Sequence, residues 1–192
     1  MLLLLWIRIQ LPENSTILIL DFFNTSVNLK KILRQGWIDK LSIDKSESVA
    51  DHTFSMAMMG MIFSDSENYN TEKILKIILL HDLAESITGD MTPEQIPKEE
   101  KITLENKMMG KILRDLPSTL QKQYNMLWDE YQSNNSNEAK IVHQIDRLEM
   151  ALQAKIYSNE GHSKEKLHTF FNSARNEIKD PKLLELFREI EK

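Results

Sequence analysis

A chain of 192 residues and 22.5 kDa is long enough to bury a full core and favours a single domain. A net charge of −5 and a pI near 5.6 argue against the broad basic surface that a nucleic-acid backbone demands, though a local basic pocket for a small phosphate stays open. The absence of cysteine excludes disulfides and thiolate ligands, so any metal must be held by His, Asp and Glu; this is compatible with a reducing cytoplasm.

The chain starts with an apolar run, Leu2 to Ile7, which Arg8 and the polar stretch Pro12 to Thr16 interrupt. It falls short of the roughly 20 apolar residues needed to span a membrane, and it lacks the charged flank and small-residue cleavage site of a secretory signal. Residues 1–16 are therefore expected to be an appended strand or helix, or a start-site artefact, ahead of one domain over 17–192. Five Gly and five Pro leave room for long helices, and no internal repeat is present. The apolar spacing predicts helices over 17–34, 49–64, 71–87, 98–116, 117–132, 136–159, 163–177 and 181–191, with no alternating strand pattern after residue 20. The expected fold class is all-α, a single helical bundle.

Within that series, helix 49–64 is apolar nearly all round (Phe54, Met56, Ala57, Met58, Met59, Met61, Ile62, Phe63), and its methionines read as adaptable core packing. Helix 71–87 carries the run Ile74 to Leu80, which delivers His81 and Asp82 to its end. Residues 88–97, rich in turn formers, form a loop directly after that pair, where substrate-holding groups commonly sit. Lys98-Glu99-Glu100-Lys101 reads as a solvated helix start. Ile102, Met108, Met109, Ile112, Leu113 and Leu116, and then Leu120, Tyr124, Leu127, Trp128 and Tyr131, form amphipathic stripes. Their apolar faces are expected to exceed what one subunit covers. Pro117 and Pro181 suit first helical turns, the latter after Asp180 as a cap.

His81-Asp82 is the most informative feature. Burying an imidazole beside a carboxylate costs several kcal/mol unless both are paired or bind a metal. Alone, the dipeptide reads as a satisfied core histidine with a capping or salt-bridged aspartate. Asp51-His52 upstream, Glu85 and Asp90 downstream and Asp146 far along the chain turn the balance toward a mixed nitrogen and oxygen metal site. Glu85, at i+4 from His81, is expected on the same helical face. His52 opens a buried helix and is placed to face inward, although Asp51 is an alternative. Asp146 lies on the flank of the stripe Val142, Ile145, Leu148, Leu152 and Ile156, and Glu149 lies nearer its middle, so periodicity alone does not choose Asp146.

Together, Asp51-His52, His81-Asp82 and Asp146 resemble the metal-binding set of the HD-domain phosphohydrolase superfamily. Arg34-Gln35-Gly36-Trp37, Glu47 to His52, His81 to Glu85 with Gly89-Asp90, Ile96 to Glu100 and Gln144-Ile145-Asp146 resemble more closely its 5′-deoxynucleotidase branch, including the HD-domain-containing protein 2 group. The likeness runs from about Ile19 to Tyr157 and leaves out the last two helices. It implies His52, His81, Asp82 and Asp146 as metal ligands, Glu85 as catalytic acid/base, Asp90 as a catalytic and substrate-positioning carboxylate, and Arg34 with Trp37 as nucleotide contacts. It also implies a homodimer.

Two imidazoles and two carboxylates suit one divalent transition metal (Mn, Co, Fe, Ni or Zn) better than Mg. Arg34 offers a planar fork for phosphate and Trp37 a flat wall for sugar or base. The plainer alternatives are a helix-dipole partner for Arg34 and a core anchor for Trp37. The expected activity is a cytoplasmic, metal-dependent 5′-deoxynucleotidase acting on deoxyribonucleoside 5′-monophosphates, with no nucleic-acid or membrane partner. The alternatives are an HD-type phosphohydrolase on a triphosphate, cyclic or signalling nucleotide, and a non-catalytic, metal-stabilised helical binding module.

Overall fold

The computed structural model describes residues 15–192, so the expectation for 1–14 lies outside the described residues. The described chain is built of helices α1 (Ser15–Val27), α2 (Gln35–Leu41), α3 (Val49–Glu67), α4 (Thr71–His81), α5 (Glu85–Thr88), α6 (Lys98–Leu113), α7 (Ser118–Ser133), α8 (Asn137–Asn159), α9 (Lys164–Glu177) and α10 (Pro181–Glu191). Among the described residues no strand forms, and the one β-type contact is an isolated bridge between Leu33 and Ser48. No helix among them is long and apolar enough to cross a membrane.

Polar side chains set the starts. Ser48 and Asp51 form a reciprocal capping box on α3, Asn70 accepts from the Lys73 amide at 3.0 Å on α4, and Ser136 accepts from Ala139 on α8. Asp180 caps α10 with Pro181 in the first turn, as the sequence indicates. Pro117, by contrast, sits just before α7 and is its N-cap residue. Asn68 and Asn134 close α3 and α7 in the left-handed conformation, at φ 59° and 49°.

Two expected helices are divided, and both divisions shape the cleft. The helix expected over 17–34 stops at Val27, passes through a 3-10 turn at Asn28–Lys31, and then extends. Backbone pairing is the reason: the Arg34 amide donates to the Glu47 carbonyl at 2.9 Å, and the Val49 amide donates to Ile32 at 2.8 Å. A short unanticipated helix, α2, follows, with Gly36 in its first turn. The helix expected over 71–87 ends at His81. From Leu83 to Ile87 the amides reach back three residues (Leu83 to Leu80, Glu85 to Asp82, Ser86 to Leu83), so the chain tightens through this corner.

The main core lies between α3, α4, α8 and α10, where Met56, Ile74, Ile78, Ile145 and Phe187 are buried. A second cluster joins Val49 and Leu83 to Met109, Leu113 and Trp128 of α6 and α7, and a third joins Trp37 to Ala154, Tyr157 and Leu167. The surplus apolar surface is not where the stripes of α6 and α7 suggested. Those helices leave Met126 exposed, whereas α1 exposes Ile17, Leu20, Phe23 and Val27 and α3 exposes Phe54, Met58 and Ile62 along one face.

The closest approach in the main core is at Gly60, where a Cβ would lie 2.4 Å from Ile78 Cδ1 and 3.1 Å from Ile74 Cγ2. Both isoleucines are fully buried and have no room to retreat. Gly60→Ala is therefore expected to destabilise the fold by about 1–3 kcal/mol, read as a lower urea midpoint at unchanged slope.

Candidate active site

The ends of α3 and α4 and the middle of α8 meet at one point. Asp51, exposed on α3, is spent on the helix start, accepting from the Ser48 amide at 2.9 Å and its hydroxyl at 2.7 Å. That leaves His52, 0 % exposed, as the inward residue of the pair. Its Nδ1–H donates to Glu149 Oε2 at 2.5 Å. His81 Nδ1 lies 2.6 Å from the Ile78 carbonyl, which only accepts, so Nδ1 carries a proton there and Nε2 is the ring nitrogen turned away from the backbone. Both Nε2 atoms are buried and without a hydrogen-bond partner.

These two nitrogens face carboxylates. His81 Nε2 is 3.1 Å from Asp82 Oδ2, and His52 Nε2 is 3.3 Å from Asp146 Oδ1 and 3.9 Å from Asp82 Oδ2. His52, His81 and Asp82 each offer a ligand atom, and these atoms lie within 4.8 Å of one another. Two orphaned imidazole nitrogens beside two carboxylates fit a divalent cation. Glu47 and Glu149 form a second group with His52, but Glu149 accepts the hydrogen bond from Nδ1–H. That is the carboxylate–histidine arrangement that orients a metal-ligating ring, not a second ion site.

The electrostatics point the same way. Burial and Arg34 both oppose a proton on His52, yet Asp146 and Glu149 outweigh them and raise its pKa to about 10. A cation at Nε2 would satisfy the same demand for positive charge. Burial alone would push Asp82 and Asp146 up; His81 and Arg34 near the first, and Arg147 and His52 near the second, hold both below the usual carboxylate range. Glu85 goes the other way. Burial, with Asp82 and Asp90 nearby, lifts its pKa well above the ordinary value, against the pull of Lys101 and Arg34. Glu47 is raised to about 7 by burial and by Glu149.

The cluster opens on a cleft of about 1110 Å³ bordered by Arg34, Asp82, Glu85, Asp90, Tyr131 and Phe170. Arg34 sits just before α2 with its Nη1 3.4 Å from Asp82 Oδ2 and 4.0 Å from Asp90 Oδ2. Burial disfavours its charge, but Asp90, Asp82 and Glu85 more than restore it. Glu85, 1 % exposed, borders the cleft through the tightened corner rather than through a continuous i+4 helix face, and its Oε2 has no partner. Asp90 is partly committed: its Oδ2 accepts the Gln35 amide at 2.8 Å and so caps α2.

Trp37 borders the same cleft but is only 1 % exposed. Its Nε1–H donates to Glu47 at 2.8 Å, and its ring packs on Phe170, with centroids 3.9 Å apart, and edge-on to Tyr157. The core-anchor alternative describes its surroundings. A half-buried Phe170 stands in front of it on α9, a helix that the sequence reasoning left without a role.

The predicted residues thus come together, with Asp146 rotated further inward than its periodicity indicated. Leu152 and Ile156 of the expected stripe are partly exposed, and small Ala151 and Ala154 pack inward instead, which turns Asp146 and Glu149 toward α3. Glu149 was detectable from its place near the stripe's middle. Lys101, read as a solvated helix start, reaches Glu85 at 3.2 Å and had no signal in the sequence.

Known proteins bear on this arrangement. A family model described as HD domain matches residues 27–186. The chain is 37 % identical over 174 residues to the human protein named 5′-deoxynucleotidase HDDC2, covering 90 % of this chain and 84 % of that one. It is 38 % identical over 183 residues to the Dictyostelium discoideum protein of the same name, covering 90 % and 96 %. The crystal structure of PH0347 protein from Pyrococcus horikoshii OT3 superimposes with a TM-score of 0.73 at 27 % identity, covering 89 % of this chain and 97 % of that one.

Glu149 holds the His52 ring without bordering the cleft. Glu149→Gln keeps an acceptor and removes the charge, and it is expected to weaken Mn²⁺ or Co²⁺ binding by roughly 10- to 100-fold. Competition against a fluorescent chelator, with unchanged circular dichroism, provides the check.

Proposed function

The chain belongs to the HD domain family, and on that premise we propose that it is a metal-dependent 5′-deoxynucleotidase, hydrolysing deoxyribonucleoside 5′-monophosphates to deoxynucleoside and orthophosphate. One observation carries the reading: two buried imidazole nitrogens without partners face Asp82 and Asp146 beside a buried Glu85 whose Oε2 is also unpaired, all at one cleft. We assign His52, His81, Asp82 and Asp146 as the ligands. A set of two imidazoles and two carboxylates favours Mn, Co, Fe, Ni or Zn over Mg. Bound there, such an ion would supply a Lewis acid against the charge of the phosphoryl oxygens.

The chain's own groups do the rest. Arg34 presents its fork to the phosphate from the cleft wall, where partial burial strengthens the contact. Glu85 takes a proton from the attacking water as the new O–P bond forms, and delivers it to the 5′ oxygen as the old P–O bond breaks. A raised proton affinity suits a group that must hold that proton between the two events. Asp90 fixes the start of α2 through Oδ2, and its other oxygen is assigned to the sugar. Trp37 serves substrate by backing Phe170, whose ring fronts the cleft as the flat wall for sugar or base.

A purely structural site closes its coordination sphere and has no need of a spare buried carboxylate, so Glu85 opposes the binding-module alternative. Orthophosphate release from a panel of deoxy- and ribonucleoside monophosphates, with Mn²⁺, Co²⁺ and chelator, tests the proposal. Orthophosphate from deoxynucleotides supports it. Triphosphate release or opening of a cyclic phosphodiester would move the substrate to another nucleotide class.

A cytoplasmic setting and no nucleic-acid partner belong to the same proposal, the latter supported by the net charge of −5. So does a homodimer, in which a second copy covers the Phe54, Met58 and Ile62 face of α3 by two-fold pairing. Sedimentation at micromolar concentration should give twice the chain mass, and Ile62→Glu should shift it toward the monomer.

Glu85→Ala is expected to retain metal affinity and lose roughly 10²- to 10⁴-fold in kcat. Full turnover in that variant would remove Glu85 from the reaction.

A further inference from the structure

Lys101 closes the first turn of α6, across the cleft wall from α5. Its Nζ donates to Glu85 Oε1 at 3.2 Å and to the Met91 carbonyl at 3.1 Å, and lies 3.5 Å from Glu105 Oε1. The partner carboxylate is 2 % exposed, unlike the surface pair Lys40–Glu94, in which the glutamate is 64 % exposed. An exposed pair adds little. A buried carboxylate that loses its cation is left uncompensated.

The contact is selective. Lys101 holds one oxygen of Glu85 and leaves the other, Oε2, without a partner. The remaining charged groups around Glu85 are Asp82 and Asp90, which repel it, and Arg34, which the aspartates share. Lys101 is the cation in hydrogen-bonding contact with it. The same ammonium ties Met91, next to Asp90, so one side chain fixes both the proton carrier and the loop that caps α2. Burial opposes the charge on Lys101, but Glu85 and Glu105 outweigh it and hold the amine protonated.

We infer that Lys101 is a positioning residue for proton transfer, clamping Glu85 by Oε1 so that Oε2 is presented to the reacting water and the 5′ oxygen, and anchoring the loop 89–97 at Met91. This rests on the role proposed for Glu85. A carboxylate misplaced by about 1 Å costs on the order of 10²-fold in rate, and the cost falls on turnover rather than on substrate binding.

The test is a double-mutant cycle on the metal-loaded protein, with Lys101→Met and Glu85→Gln alone and combined, and Lys101→Arg as the charge-conserving variant. Lys101→Met is expected to lower kcat by roughly 10- to 100-fold with KM within about threefold, and to cost less than about twofold when Glu85 is already Gln. Lys101→Arg should recover part of the loss. A second readout needs neither metal nor substrate: amide hydrogen exchange over residues 89–97 should quicken in metal-free Lys101→Met.

Undiminished kcat in Lys101→Met, the same factor lost in both backgrounds, or unchanged exchange each overturns the inference while leaving the enzymatic reading intact. A native protein that releases no orthophosphate from any deoxynucleotide overturns that reading and this inference with it.

Discussion

The concentration of negative charge at one buried place is the constraint on which the site depends. Asp82, Glu85, Asp146 and Glu149 are largely withdrawn from water within a few side chains of each other, with Asp90 and Glu47 at the margin. A carboxylate taken out of water costs several kcal/mol unless it is paired, and like charges add to that cost. The compensation is divided by position. Arg34 stands between Asp82 and Asp90, Lys101 meets Glu85, Arg147 lies beside Asp146, and the two histidines face the centre. What protein groups leave uncompensated is the centre itself, and there the free nitrogens point.

That constraint explains why the helices stop where they do. A continuous α4 through residue 87 would carry its carbonyls and side chains past the cleft in regular succession. The tightened corner after His81 instead turns Asp82 toward Arg34 and Glu85 toward α6, so that two carboxylates three residues apart meet different cations. On the other wall, the pairing of Ile32 and Arg34 with Glu47 and Val49 ends the first helical stretch and aims Arg34 inward. Both deviations from regular helix border the candidate site, and they are held by backbone hydrogen bonds rather than by side-chain packing alone.

The same distinction separates what could be read in the sequence from what could not. The all-α class, most of the helices and the ionisable cluster at His81, Asp82 and Glu85 were legible because apolar periodicity and buried ionisable residues are local signals, whereas the choice between Asp51 and His52 was settled only by the Ser48 capping box that occupies Asp51. Asp146 was legible through resemblance; its stripe is redefined by Ala151 and Ala154, whose small volume matters only once α3 and α9 are packed against them. The breaks at 28–34 and 82–84 depend on partners distant in sequence, so helical periodicity overran them. Lys101 looked like surface because a lysine in a charged run carries no mark of the buried carboxylate that folding sets beside it.

The loop between α5 and α6 shows how these parts act as a unit. Asp90 caps α2 through the Gln35 amide, and α2 carries Trp37 and follows directly from Arg34, so the wall that carries Arg34 takes its position from the loop. One residue on, the Met91 carbonyl accepts from Lys101, which also holds Glu85. The loop is therefore fixed between the group that would grip the phosphate and the group that would carry the proton.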